Sequence, residues 1–152
     1  APDILFNCAG FVHHGTILDA TDAEWNFGFE LNVRSMYWSS RAAIPGMIER
    51  GSGYLLNTAS AAGLLAALGS GPYTVTKAAA VKFAEFLSIT HGDDGIKVSV
   101  LCPQGVNTAM APRSLGDGQT DGNSKEHRDR QIFRKKFGHL VIRSHYENLW
   151  FE

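Results

Sequence analysis

Tyr73 and Lys77 stand four residues apart in the run Tyr-Thr-Val-Thr-Lys. On a helix this spacing puts both side chains on one face, a turn apart. A free tyrosine has a pKa of about 10 and is a poor acid–base catalyst near neutrality. An ammonium held beside it favours the phenolate and brings that pKa down. Such a pair suits proton exchange with a carbonyl or an alcohol. Ser60 stands thirteen residues before Tyr73, after a run that reads as a strand. Its hydroxyl is placed to polarise the same carbonyl. The Tyr–Lys spacing alone also fits a half-exposed helix face with no chemistry, so the elements around it carry the decision.

Those elements follow in order. Ile4-Leu5-Phe6 is a short apolar run that breaks at Asn7-Cys8-Ala9-Gly10. A continuous apolar strand suits a parallel sheet covered on both faces. Small residues at its carboxyl end leave room for a ligand in the crevice above. The next loop carries His13 and His14. Adjacent histidines rarely share one metal, and lining a pocket is the better reading for one of them. Thr21-Asp22-Ala23-Glu24 is a capping box. The helix it opens is expected to run to about Arg50, with an apolar face of Trp25, Phe29, Val33, Met36 and Tyr37. Pro45-Gly46 marks a kink or break near its end. Asn32 lies among apolar residues inside this helix, which calls for a specific partner.

Gly51-Ser52-Gly53 is a turn, and residues 54–58 read as the second strand. Residues 59–71 are small and apolar, a loop for close approach to a ligand or a packed surface. A second helix is expected over about 72–91, with Pro72 at a tolerated first position. A third strand follows over 96–101, leading into Pro103-Gln104-Gly105-Val106-Asn107-Thr108. The order strand–helix–strand–helix–strand is the second half of a doubly wound α/β domain with a parallel sheet. Right-handed crossovers put both helices on one face. The strand ends near Asn7, Ser60 and Pro103 then open on one edge, where such folds bind ligands.

A chain of 152 residues, 44% hydrophobic and 19% charged, can bury one ordinary core. Residues 1–112 carry six Lys/Arg against nine Asp/Glu, and residues 113–152 carry eight against six. Neither balance demands a strongly charged partner. Cys8 and Cys102 lack metal-ligand or disulfide spacing and read as small apolar residues at the ends of buried strands. That fits a reducing compartment. With no signal-peptide pattern and no apolar run that spans a bilayer, a cytoplasmic location is expected. The sequence opens at Ala1 without an initiator Met, so the natural N-terminus is expected to lie upstream. Residues 113–124 are linker-like. Residues 125–152 form a charged tail whose basic run, 125–136, reads as a solvated segment before a nucleic-acid patch. Residues 137–150 have the composition for one short apolar element, and the last six residues loosely resemble a protease-tag sequence.

With these motifs in place, residues 1–112 resemble the middle and later part of the short-chain dehydrogenases/reductases. Asn7-Cys8-Ala9-Gly10 is similar to that family's Asn-Asn-Ala-Gly turn, and Asn32 in Leu-Asn-Val to its helix Asn. Ser60 matches its catalytic Ser, Tyr73 and Lys77 its YxxxK pair, and Pro103, Val106 and Thr108 its nicotinamide loop. Residues 5–37 are especially similar to the cytosolic type 2 3-hydroxybutyrate dehydrogenases. The resemblance implies hydride transfer between NAD or NADP and an alcohol or carbonyl carbon. It assigns Tyr73 to proton exchange, Lys77 to the nicotinamide ribose, Ser60 to the substrate oxygen and Asn32 to a water leading from Lys77. Asn7, Ala9, Gly10, Tyr73, Lys77, Pro103, Val106 and Thr108 would border the cofactor. It further implies a homo-oligomer through helices at about 22–50 and 72–91.

Three departures qualify the likeness. The family's glycine-rich phosphate loop has no counterpart here and is expected to fall before Ala1. Gln104 stands where the family usually has Gly, and residues 114–152 do not resemble its usual lid and last strand. The alternative to a truncated oxidoreductase is a non-catalytic remnant serving as an interaction or dimerisation module. For the substrate, residues 61–72 carry no charge, which favours a neutral or apolar carbonyl or alcohol over a carboxylate, although Arg113 remains a candidate charge.

Overall fold

The three apolar runs become three parallel strands: β1 (Ile4–Asn7), β2 (Gly53–Thr58) and β3 (Ile96–Leu101), adjacent in that order. This computed structural model describes residues 1–103 and 141–143. A fourth strand, β4 (Val141–Arg143), lies antiparallel on the far side of β3. It falls within the stretch read as a short apolar element. The remaining tail, including the linker-like 113–124, lies outside the described residues. In the register, Asn7 faces Asn57 and Thr58 faces Leu101, so the carboxyl ends align. Pairing continues past them: the Ala59 N–H donates to the Leu101 carbonyl at 2.8 Å and the Ala61 N–H to the Pro103 carbonyl at 2.9 Å. The strand ends near Asn7, Ser60 and Pro103 therefore share one edge, as the element order implied.

Alternation sends Leu5, Leu55, Val98 and Val100 to one face. That face meets Met36, Ala43, Ile44 and Met47 from one helix and Ala80, Ala84 and Leu87 from another, forming the core. The opposite face departs from the expectation of a sheet covered on both sides. Ile4 and Phe6 are 66% and 51% exposed, because no described element packs over them. Cys8 is likewise exposed, contrary to its reading as a buried strand end, whereas Cys102 is buried. Parallel strands with both helices packed on one face are an α/β, Rossmann-like arrangement.

The first helical rod starts where the capping box predicts. The Thr21 hydroxyl accepts from the Glu24 N–H at 3.2 Å, and Glu24 returns a bond to the Thr21 N–H at 3.0 Å. The rod has three parts: α1 (Asp22–Phe29), a π-helical turn (Glu30–Arg34) and α2 (Ser35–Arg50). The helix type thus changes around Asn32, and α2 continues through Pro45 without a break. A π turn takes in an extra residue. Accordingly the buried stripe runs Gly28, Asn32, Met36, Ser40 at four-residue steps. The aromatic face read from the sequence is displaced beside it, with Tyr37 42% exposed. Gly51, at φ 66°, ends α2 in the left-handed conformation that glycine favours. Arg50 then fastens the chain start by donating to the Ala1 and Pro2 carbonyls at 3.0 and 2.9 Å.

α3 (Gly71–His91) carries Pro72 in its first turn, where no helix N–H bond is lost. It lies against a short 3₁₀ turn (Ala61–Gly63) that follows β2. A Cβ on Gly63 would come within 2.4 Å of the Lys77 carbonyl oxygen. Only a glycine lets the loop and helix approach this closely.

Candidate active site

Ser60 leaves β2 in extended backbone and caps the 3₁₀ turn, its hydroxyl accepting from the Ala62 N–H at 3.1 Å. The same side chain lies close enough to the Tyr73 hydroxyl to pull its pKa down. Tyr73 and Lys77 share one face of α3, with the Lys77 Nζ 5.6 Å from the Tyr73 ring centroid. Lys77 is 3% exposed, and its amine donates to the Thr58 carbonyl at the end of β2 at 2.9 Å. Residues predicted to converge from a strand end and a helix are thus brought together.

The electrostatics differ from the expectation for Tyr73. Burial pushes its hydroxyl above the ordinary value, and the Ser60 side chain pulls it only part of the way back. The Lys77 amine, which donates to the Thr58 carbonyl, does not offset that rise. Burial also lowers Lys77 to about 8, with the neighbouring Cys102 opposing. The amine is therefore still largely protonated near neutrality. Cys102 itself is pushed up by burial, against a hydrogen bond from the Ser60 backbone and the charge of Lys77.

Asn32 has the specific partners its position called for, and all are protein groups. Its Oδ1 accepts from the Phe11 N–H at 2.7 Å, and its Nδ2 donates to the Phe11 carbonyl and to the Thr76 hydroxyl, each at 2.9 Å. That clamp brings the loop after β1 over Lys77. A Cβ on Gly10 would lie 3.3 Å from the Lys77 Nζ and 3.5 Å from the Asn32 Oδ1. Asn7 donates to the Asn57 Oδ1 at 2.8 Å and accepts from Ser39 at 2.6 Å. Ala9 is exposed at the edge, and Pro103 is tied to the loop after Ser60 through its carbonyl. Val106, Thr108, Gln104 and Arg113 lie outside the described residues.

Sequence reasoning missed Thr76, Asn57 and Ser39. Asparagines at the ends of two adjacent strands were a visible signal for Asn57. Nothing local marks Thr76, whose partner is 44 residues away. The histidine pair divides: His14 is exposed, and His13 is buried with its Nε2 3.6 Å from a Glu24 carboxylate oxygen. A bridge between Gly15 and Ser70 joins this loop to the one preceding Tyr73. An open cleft of about 500 Å³ behind α3 is lined by Leu64, Val81, Val98 and Val100 among others. It includes none of Ser60, Tyr73 and Lys77, so the chemistry belongs to the strand-end edge.

A sequence-family model described as short chain dehydrogenase matches residues 2–117. Dehydrogenase/reductase SDR family member 6 of Rattus norvegicus is 40% identical over 140 residues, covering 91% of this chain and 56% of that protein. The structure of a short-chain dehydrogenase from Streptomyces avermitilis is similar with a TM-score of 0.68 at 36% identity, over 71% of this chain and 40% of that one. That of 4-hydroxyisoleucine dehydrogenase complexed with NADH has a TM-score of 0.61 at 26% identity, over 64% of this chain and 43% of that one. The chain spans between 36% and 56% of the length of such curated relatives. A match that runs from before the first strand to beyond the third, at these identities, supports one assignment: the chain belongs to the short-chain dehydrogenase family.

Proposed function

We propose that this chain bears the reaction half of an NAD- or NADP-dependent oxidoreductase acting on an alcohol/carbonyl pair. The observation that carries the reading is the cluster of Ser60, Tyr73 and Lys77 at one sheet edge, with Ser60 beside the phenol and the Lys77 Nζ 5.6 Å from the Tyr73 ring centroid. The edge also fits a flat cofactor ring. Ala9 and Gly10 present little beyond backbone there, and a Cβ on Gly10 would fill the space in front of Lys77. Asn7, Ala9, Gly10, Tyr73, Lys77 and Pro103 would border the ring, with Val106 and Thr108 assigned from the family pattern. The nicotinamide, when bound, supplies or accepts the hydride.

The chain's own groups manage the proton. The Tyr73 hydroxyl gives a proton to the carbonyl oxygen in reduction and takes it back in oxidation. Ser60 donates to the same oxygen and steadies its developing charge. Protonated Lys77 favours the phenolate form as the proton leaves, and it holds a ribose hydroxyl. Asn32 keeps the loop over Lys77 and is assigned the outlet for the proton. Leu65 and Leu68, 49% and 89% exposed on the uncharged loop, support a neutral or apolar substrate. The likeness of residues 5–37 to hydroxybutyrate enzymes points instead to a small hydroxy acid, with Arg113 to meet its carboxylate.

Exposed Phe27, Tyr37 and Trp38 on the first rod and Phe86 and Ile89 on α3 support pairing of these helices between copies. Two free cysteines fit a reducing, cytoplasmic setting. A second reading, a non-catalytic interaction module, is favoured by the uncovered sheet face at Ile4 and Phe6. Turnover of an alcohol and carbonyl panel with either cofactor separates the two. The oxidoreductase reading predicts turnover that Tyr73→Phe lowers by about 100-fold or more, with cofactor affinity nearly unchanged. Absence of Tyr73-dependent turnover in a folded chain favours the module.

A further inference from the structure

We propose that Thr76 is a positioning residue: its hydroxyl ties the π turn at Asn32 to α3 and so sets how closely the loop after β1 closes over the Lys77 amine. The inference deepens the reading above, since it concerns the same amine. Thr76 is fully buried, at 0% exposure. Its hydroxyl donates to the Tyr73 backbone carbonyl at 2.9 Å and accepts from the Asn32 Nδ2 at 2.9 Å. The second Asn32 amide hydrogen goes to the Phe11 carbonyl, and the Oδ1 takes the Phe11 N–H. Both amide donors are thereby used. One hydroxyl on α3 thus reaches the π turn directly and, through Asn32, the loop that ends at Phe11.

The residue before Phe11 is Gly10, whose missing Cβ would stand 3.3 Å from the Lys77 Nζ. The residue after Thr76 is Lys77 itself, held from the other side by the Thr58 carbonyl. Thr76 therefore ties the helix that carries the amine to the clamp that holds the covering loop. Its two branches divide the work. The methyl faces Gly28 of α1, where an added Cβ would lie 3.9 Å away, and the hydroxyl makes the tie. Valine keeps the shape and loses the tie, whereas serine keeps the tie and loses the methyl. Without the tie, one Asn32 amide hydrogen loses its partner in a buried place. The loop then relaxes outward and water reaches Lys77.

The test is an NMR titration of Lys77 in the full 152-residue chain, using carbon-labelled lysine, with Lys77→Arg to identify the signal. Wild type should titrate near 8, not at the ordinary 10.5. Thr76→Ser should stay within about 0.3 of wild type, and Thr76→Val should rise by about 1 or more as water enters. Leu87→Ala, a core cavity elsewhere on α3, should lower thermal stability and leave Lys77 where it was. Thr76→Val titrating with wild type, or Leu87→Ala moving Lys77 equally, overturns the proposal. Should Thr76→Val not fold, amide exchange in wild type decides: the Phe11 N–H must exchange as slowly as the α3 core amide of Ala80. Fast exchange at Phe11 overturns the tie. None of these readouts needs cofactor or turnover, so failure of the oxidoreductase reading stays distinguishable from failure of this one.

Discussion

Lys77 holds a charged amine where water scarcely reaches it, and that has a measurable cost. The unfolded chain keeps this proton to about pH 10.5, while the native chain loses it near 8. Between those values the unfolded state binds more protons, so stability rises with pH. At neutral pH the buried charge costs on the order of 3 kcal/mol. Cys102, raised from 9.0, and Tyr73, raised from 10.0, act in the opposite direction once pH passes their ordinary values. The clean window is therefore pH 8 to 9. There the unfolding free energy should grow by about 1 kcal/mol in wild type, and the growth should vanish in Lys77→Met. Urea denaturation at both pH values measures it, and equal slopes in the two proteins would refute the burial account. The convergence of Ser60, Tyr73 and Lys77 was legible from their spacing together with the element order, and the need of Asn32 for a partner from its place among apolar residues. The direction of the Tyr73 shift was not, because spacing gives proximity to a charge but not depth of burial. Thr76 was illegible for a related reason: inside Tyr-Thr-Val-Thr-Lys it looks like any helix residue until its distant partner is known.

Element ends were the most readable part of the fold. The capping box at Thr21, Pro72 in the first turn of α3 and Gly51 after α2 each encode a boundary through local chemistry, and each is observed. The π turn at Glu30–Arg34 was not readable, since no local signal marks its extra residue and the partners of Asn32 lie far along the chain. A kink or break was expected at Pro45–Gly46 on the strength of the missing N–H, and α2 runs through it without a break. Close contacts between elements make a sharper prediction. A Cβ on Gly63 would meet the backbone of Lys77 at 2.4 Å, and one on Gly53 would meet the Met47 side chain at 2.5 Å. A methionine can move aside and a helix backbone cannot. Gly63→Ala should therefore cost about 2–3 kcal/mol and Gly53→Ala clearly less, read by urea denaturation. The reverse order would contradict the close packing of the Ser60 loop on α3.

At the scale of the molecule, the described residues form one covered sheet face and one open one. The covered face carries the core, and the aligned strand ends above it carry the polar cluster. Element order alone made this arrangement legible, because parallel strands joined by right-handed crossovers leave few alternatives. The open face at Ile4 and Phe6 was not expected from the continuous apolar run of β1, which by itself calls for cover on both sides. It matters for function, because the chain spans 36% to 56% of the length of curated relatives. The central claim is that the edge above β1, β2 and β3 still receives a nicotinamide cofactor. It is tested most directly by titrating the folded chain with NADH and with NADPH, following nicotinamide fluorescence and thermal stability together. The proposed function predicts saturable binding of at least one of them that Lys77→Ala weakens. No binding of either up to about 1 mM, a free energy weaker than roughly −4 kcal/mol, by a chain that remains folded would contradict it.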